Sequence, residues 1–453
     1  MNTKRIFTWS IIIAFGGFLF GLDTAVISGA EQKIQTLWAL DVFEHGLTVS
    51  IALIGTVAGA MLGGIPSDKL GRKKTLFWIA VLFLISAVGS ALAIDWYTFL
   101  FFRFVGGLGV GCSSVTAPMY ISELAPASHR GRLVAMFQFN VVLGILIAFL
   151  SNYLLQDLGE NSWRWMLGIQ AFPAALFLVL ILFLPESPRW LVVKRGSEEE
   201  ALEIFKLINP KNAESELHAI QLSHKVQSND ASGYNLFSKK YSFPLMLAIV
   251  FAAFNQLSGI NAIIYYAPRI FEMTGLGTDS ALLSTAGLGL VNFIFTLLAV
   301  NFIDRYGRRT LMLIGSVGVI ITLTLVANSF YTQNFNGYAV PVYLFVYIAF
   351  FAFSQGAVIW VFISEIFPNE VRAKGQALGS FTHWLMATVI AFTFPAITDK
   401  LGGGNSFMIF AIMMVLQLLF VWKVMPETKG RSLEQIDTPE TKTKKNPDLI
   451  KTT

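Results

Sequence analysis

The sequence predicts an all-α membrane protein: twelve membrane-spanning helices in two six-helix halves, with short helices between the halves. Three observations predict it. The 453 residues are 55% hydrophobic and only 13% charged, with 40 Phe, which is far outside the range of soluble globular chains. Apolar runs of bilayer length recur at 7–29, 47–67, 74–94, 99–120, 132–154, 165–184, 243–271, 281–301, 311–330, 340–366, 374–397 and 405–424. The chain also repeats itself at one spacing. GLDTA around Asp23 answers GINAI around Asn261, and SDKLGRKKT with Asp68 answers IDRYGRRT with Asp304. YISELAP with Glu123 and Arg130 answers FISEIFP with Glu365 and Arg372, and PES at Pro185 answers PET at Pro426, all about 240 residues apart. Residues 1–184 and 243–424 are thus expected to be two halves related by an axis along the membrane normal, joined by a linker over 185–242 and followed by a tail over 425–453.

The first run follows Lys4 and Arg5 as a signal peptide would, but its length and the eleven runs behind it predict a retained helix. Lys and Arg fix the orientation. Lys4, Arg5, Lys69, Arg72, Lys73, Lys74, Arg130, Arg132, Arg305, Arg308, Arg309, Arg372 and Lys374 fall on one side, against Lys33, Arg164, Arg269 and Lys400 on the other. Positive charge stays inside, so both termini and the linker are expected in the cytoplasm. In the linker, Ser197 and Glu200 predict a capping box ahead of a helix through Ile208 that Asn209-Pro210 stops. The tail beyond Glu434, rich in Thr, Lys and Pro, is expected to be disordered.

The net charge of +5 does not imply nucleic acid, because the basic residues lie between apolar runs, where they set topology and meet headgroups. The single cysteine, Cys112, allows neither a disulfide framework nor a zinc-spaced ligand set. No nucleophile and base pair, metal cluster or phosphate loop is legible, which argues against an enzyme, and the GxG of the fourth run reads as close helix packing.

The seventh run carries the densest polar signal. Phe254 to Tyr266 holds Asn255, Gln256, Ser258, Asn261 and Tyr265 among hydrophobes. An unpaired amide in hydrocarbon costs roughly 4–8 kcal/mol, so these side chains either bind neighbouring helices or face a cavity. Asn255, Ser258, Asn261 and Tyr265 share one face, and a break at Gly259 would let Gln256 join them. Neutral groups that both donate and accept suit an uncharged polyhydroxylated ligand. Asp23, a carboxylate in mid-span, is expected to pair with Arg103 on the fourth helix. Asp68, Arg72, Glu123, Arg130, Glu186 and Arg189, mirrored by Asp304, Arg308, Glu365 and Arg372, sit at helix ends on the inner side and are expected to act as a conformational ion-pair network.

Seven motifs carry a family resemblance. They are GxxxDxxGRK at Gly64, RxxGGxGxG at Arg103, PxYxxExxPxxxRG at Pro118, PESPRWL at Pro185, QLSGIN at Gln256, DRxGRR at Asp304 and PETKG at Pro426. Together they resemble the sugar porter family of the major facilitator superfamily over nearly the whole chain. The resemblance implies alternating-access import of a monosaccharide by a monomer in the cytoplasmic membrane, with no cofactor but the proton as coupling ion. It implies that Gln138, Gln256, Asn261, Tyr265 and Asn292 hydrogen-bond sugar hydroxyls, that Gly356, Trp360 and Trp384 complete the site, and that Phe20 forms an aromatic wall. Asn255 and His383 stand where relatives more often carry Gln, and Gln or Asn. Proton-coupled members carry Asp where Asp23 stands, whereas facilitators commonly carry Asn. A facilitative uniporter is the alternative, and a sugar sensor, which needs a long signalling tail, a more distant one.

Overall fold

The computed structural model describes residues 3–126, 129–210, 212–229, 235–335, 337–368 and 371–429. It is helical throughout, with no strand among the described residues. The spanning helices are α1 (Thr3–Leu37), α2 (Val42–Leu62), α3 (Arg72–Leu92), α4 (Trp96–Leu124), α5 (Arg130–Leu155), α6 (Ser162–Ile181), α7 (Lys239–Glu272), α8 (Thr278–Tyr306), α9 (Arg308–Thr332), α10 (Ala339–Glu365), α11 (372–401) and α12 (403–423). The last two run on without a loop, and Gly402, at φ 79° and ψ 163°, turns the chain between them.

Within the first half α1 packs on α5 and α2 on α4; within the second α9 packs on α12, and α7 on both α11 and α12. In α4 the glycine run lets α2 approach, since a Cβ on Gly107 would lie 1.9 Å from the Ala52 carbonyl oxygen. The halves meet along α1 with α7, α2 with α11, and α5 with α8.

Two expectations need correction. Helix α1 does not stop at 29 but continues to Leu37, because Ser28 to Leu37 holds no helix breaker after Gly29 and buries Ala30, Glu31 and Ile34. The linker helix runs over Glu198–Ile208 as expected, yet Ser197 makes no side-chain cap bond, and Glu200 pairs instead with Arg195 at 3.3 Å. The tail expected to be disordered lies outside the described residues.

Candidate functional site

Helix α7 is broken where the sequence predicts. Gly259 adopts φ +83°, a left-handed conformation natural only to glycine, and the helix stops at Leu257 and restarts at Ile260. The break swings Gln256 into a chain of amides. Gln256 Nε2 donates to Asn255 Oδ1 at 2.9 Å, and Asn261 Nδ2 donates to Gln256 Oε1 at 2.6 Å. His383 of α11 places its ring nitrogens 3.2 and 3.3 Å from Gln256 Nε2. Asn255 also donates to the Gln355 carbonyl, and Ser258 Oγ donates to the Asn255 carbonyl.

Aromatic rings wall this chain. The Trp360 ring of α10 lies tilted 4.8 Å from His383, which meets Trp384 edge-on at 4.9 Å. Trp384 in turn lies 5.4 Å from Phe20 of α1, so the wall crosses from one half to the other. Gly356 ends a π-helical turn over Ala352–Gly356 that widens α10 just before Trp360. Gln138 on α5 is half-buried and Asn292 on α8 is buried, on the two helices that meet across the halves. An amide cluster beside indole rings can grip hydroxyls edgewise and cover an apolar C–H face.

Asp23 and Arg103 form the expected pair. Arg103 Nη1 donates to Asp23 Oδ1 at 2.7 Å and Nη2 to the Asp23 carbonyl at 3.1 Å, with both residues buried. Tyr265, buried on the same helix segment as Asn261, approaches Thr24 and lies within electrostatic reach of this pair. The amide cluster and the ion pair are therefore neighbours.

At the end of the bundle where the described chain begins and ends, the two halves carry the same device. Arg72 grips Glu123 through Nε and Nη2, both at 2.9 Å, and Nη1 reaches Asp68 at 3.2 Å. Glu186 accepts from the Arg72 and Lys73 backbone N–H groups at 2.8 and 3.1 Å, capping α3, and Ser187 donates to Glu123 at 2.5 Å. In the second half Arg308 grips Glu365 at 3.1 and 2.8 Å, Glu427 caps α9 at Arg308 and Arg309, and Thr428 donates to Glu365 at 2.6 Å. Gly71 and Gly307 both sit near φ +90°, and a Cβ on either would strike the capping carboxylate.

Not every residue expected in the network joins it. Arg130 and Arg189 are exposed, and Arg372 donates to the Phe367 carbonyl rather than to a carboxylate. The Asp304 side chain lies outside the described residues. Sequence reasoning also missed members. Glu427 is legible from the PES/PET repeat, and Tyr120, whose hydroxyl donates to the Pro185 carbonyl, from the motif at Pro118. A second deep charge in the first half also went unread: Glu31 is fully buried against Arg269 and His45, and the expected end of α1 at 29 hid it.

The family model described as "Sugar (and other) transporter" matches residues 9–439. The chain belongs to this family. Its sugar transporter fold is that of the major facilitator superfamily. The D-xylose-proton symporter of Escherichia coli K12 is 37% identical, with 97% of each chain covered. The arabinose-proton symporter of Bacillus subtilis is 39% identical over 94% of this chain and 93% of the relative. The glucose transport protein of Synechocystis is 35% identical over 96% and 97%. Among solved structures, the inward open conformation of the E. coli xylose transporter XylE superposes with a TM-score of 0.85 at 35% identity, covering 95% of this chain and 99% of that one. The same transporter bound to 6-bromo-6-deoxy-D-glucose gives 0.80. The protein is a multi-pass membrane transporter, not an enzyme.

Proposed function

We propose that this transporter imports a monosaccharide together with a proton, as a monomer in the cytoplasmic membrane with both termini inside. The observation that carries the reading is the adjacency just described: a buried Asp23–Arg103 pair beside Tyr265, on the helix segment that bears Asn261 and follows Gln256. Relatives over nearly the full length are named as proton symporters for xylose and arabinose, which supports the class of cargo and the coupling ion.

In this reading Gln256, Asn261, Asn255, His383 and Tyr265 from the second half and Gln138 from the first grip the hydroxyls, with Asn292 beside them. Trp384, Trp360 and Phe20 cover the ring, and Gly356 leaves it room. A proton on Asp23 neutralises the carboxylate and loosens its hold on Arg103, which frees α1 to move against α4. The two Arg–Glu clusters hold each half rigid at the inner face while the halves rock. Extracellular closure by Glu31 and Arg269, together with the likeness to an inward open relative, supports an inward-facing state.

The test is uptake of labelled xylose, arabinose, glucose and galactose into proteoliposomes, with and without an inward proton gradient. Accumulation above equilibrium that requires the gradient is expected for one or more of these sugars. Saturable uptake that only equilibrates and ignores the gradient makes the protein a uniporter instead.

A further inference from the structure

The outer mouth holds a buried charged cluster that sugar binding and Asp23 leave unused. Arg269 of α7 donates through Nε and Nη2 to the two Glu31 oxygens at 3.0 and 2.8 Å, crossing from the second half to the first. Its Nη2 also donates to Gln35 at 2.6 Å. On the other side of the carboxylate, His45 of α2 brings Nε2 to 2.9 Å from Glu31 Oε2. Glu31 and His45 are both 0% exposed; among the described residues neither ring nitrogen of His45 makes an aligned hydrogen bond, so Nε2 meets Glu31 as a close charge contact and Nδ1 is buried without a partner.

The remaining groups around the cluster are accounted for. Tyr266 of α7 lies 5.9 Å from the His45 ring and donates to the Ala391 carbonyl of α11. Glu272 of α7 acts on Arg269 through its charge, and Tyr265 acts on Tyr266. Lys33 of α1 is taken by Gln156 and Ser162, Glu44 of α2 caps its own helix with Asp41, and Asp279 of α8 meets Gln156 of α5. From α11 the neighbour is apolar: the Phe392 carbonyl lies against Gly46, and its ring against Phe43.

We propose that Glu31, His45 and Arg269 form an outer latch that takes up a proton at His45 as it opens. Closed, one carboxylate and one guanidinium balance, and a second cation in so dry a place is disfavoured. Opening carries Arg269 away with its half and leaves Glu31 facing the imidazole alone. A proton on His45, now reached by water, restores the balance. Acid on the outside therefore favours the open mouth, since a ligand shifts a two-state equilibrium toward the state that binds it. The inference rests on the alternating-access reading, and this proton is separate from the one assigned to Asp23.

The experiment places spin labels at Leu37→Cys and Met273→Cys, both exposed at the outer ends of α1 and α7. The background carries Cys112→Ser and Asp23→Asn, which removes the other cysteine and the other proton site. Distances are read by double electron–electron resonance in nanodiscs at about pH 8 and about pH 5.5, either side of an ordinary imidazole. A shift toward longer distances in acid is expected, its loss in His45→Asn and His45→Gln, and the longer distances at both pH values in Glu31→Gln. A distribution that ignores pH, or an acid shift that survives both His45 variants, overturns the latch. The reading needs neither sugar nor gradient, so a protein that proves to be a uniporter does not decide it.

Discussion

Arg103 Nη1 lies 2.7 Å from Asp23 Oδ1, while Asp23 Oδ2 is buried with no hydrogen-bond partner among the described residues. The pair ties α1 to α4 and yet leaves one oxygen bare, which is where a proton can bind without displacing the guanidinium. Asp23→Asn keeps the shape and removes that site. Equilibration of sugar across proteoliposome membranes is expected to persist in this variant, and gradient-driven accumulation to vanish. Full accumulation in the variant would leave Asp23 a structural partner only.

Removing the other partner has a different consequence. Arg103→Leu leaves a carboxylate buried alone, and breaking such a pair costs about 3–5 kcal/mol. The variant is expected to unfold at a clearly lower temperature in detergent. The double variant Asp23→Asn/Arg103→Leu removes both charges and is expected to recover much of the loss. A double variant no more stable than Arg103→Leu would locate the damage in packing.

Gln256 is the node of the amide chain, touching Asn255, Asn261 and His383 at once. Gln256→Ala removes two hydroxyl partners and leaves its neighbours unpaired, a loss of about 1–3 kcal/mol in binding. Titration calorimetry with the transported sugar is expected to show weakening of about fivefold or more. His383→Gln keeps an N–H in the same place and is expected to change affinity far less.

Much of this was legible in the sequence because membranes simplify the problem. Apolar length alone gives the spans, and duplicated motifs give the two halves. The break at Gly259 followed from glycine next to an amide cluster that had to face one way. What escaped are pairings between helices distant in the chain. Glu31, His45 and Arg269 each look like ordinary residues near a helix end, and only folding brings α1, α2 and α7 together. Arg372 was expected to act as a charge and serves as a donor to its own turn, a choice set by local geometry rather than residue type.

The mirrored caps Glu186 and Glu427 differ in one measurable way. Burial pushes the Glu186 carboxyl above its ordinary value despite the backbone donors that oppose it. Burial also acts on Glu427, but N–H groups of Lys429, Arg308, Arg309 and Thr428 outweigh it and hold that carboxyl below the ordinary value. The signs follow. A raised folded-state value means that ionisation of Glu186 opposes folding as pH rises, whereas a lowered one means that Glu427 contributes stability at neutral pH that is lost in acid. Glu427→Gln is thus expected to destabilise the protein at about pH 7, by about 1 kcal/mol or less for a partly exposed helix cap. That deficit should shrink as pH falls toward about 4, near the ordinary carboxylate range. Glu186→Gln is expected to be nearly neutral at about pH 7. Thermal unfolding of both variants across this range checks the asymmetry, and equal losses at neutral pH would show that the two caps are equivalent in energy as well as in shape.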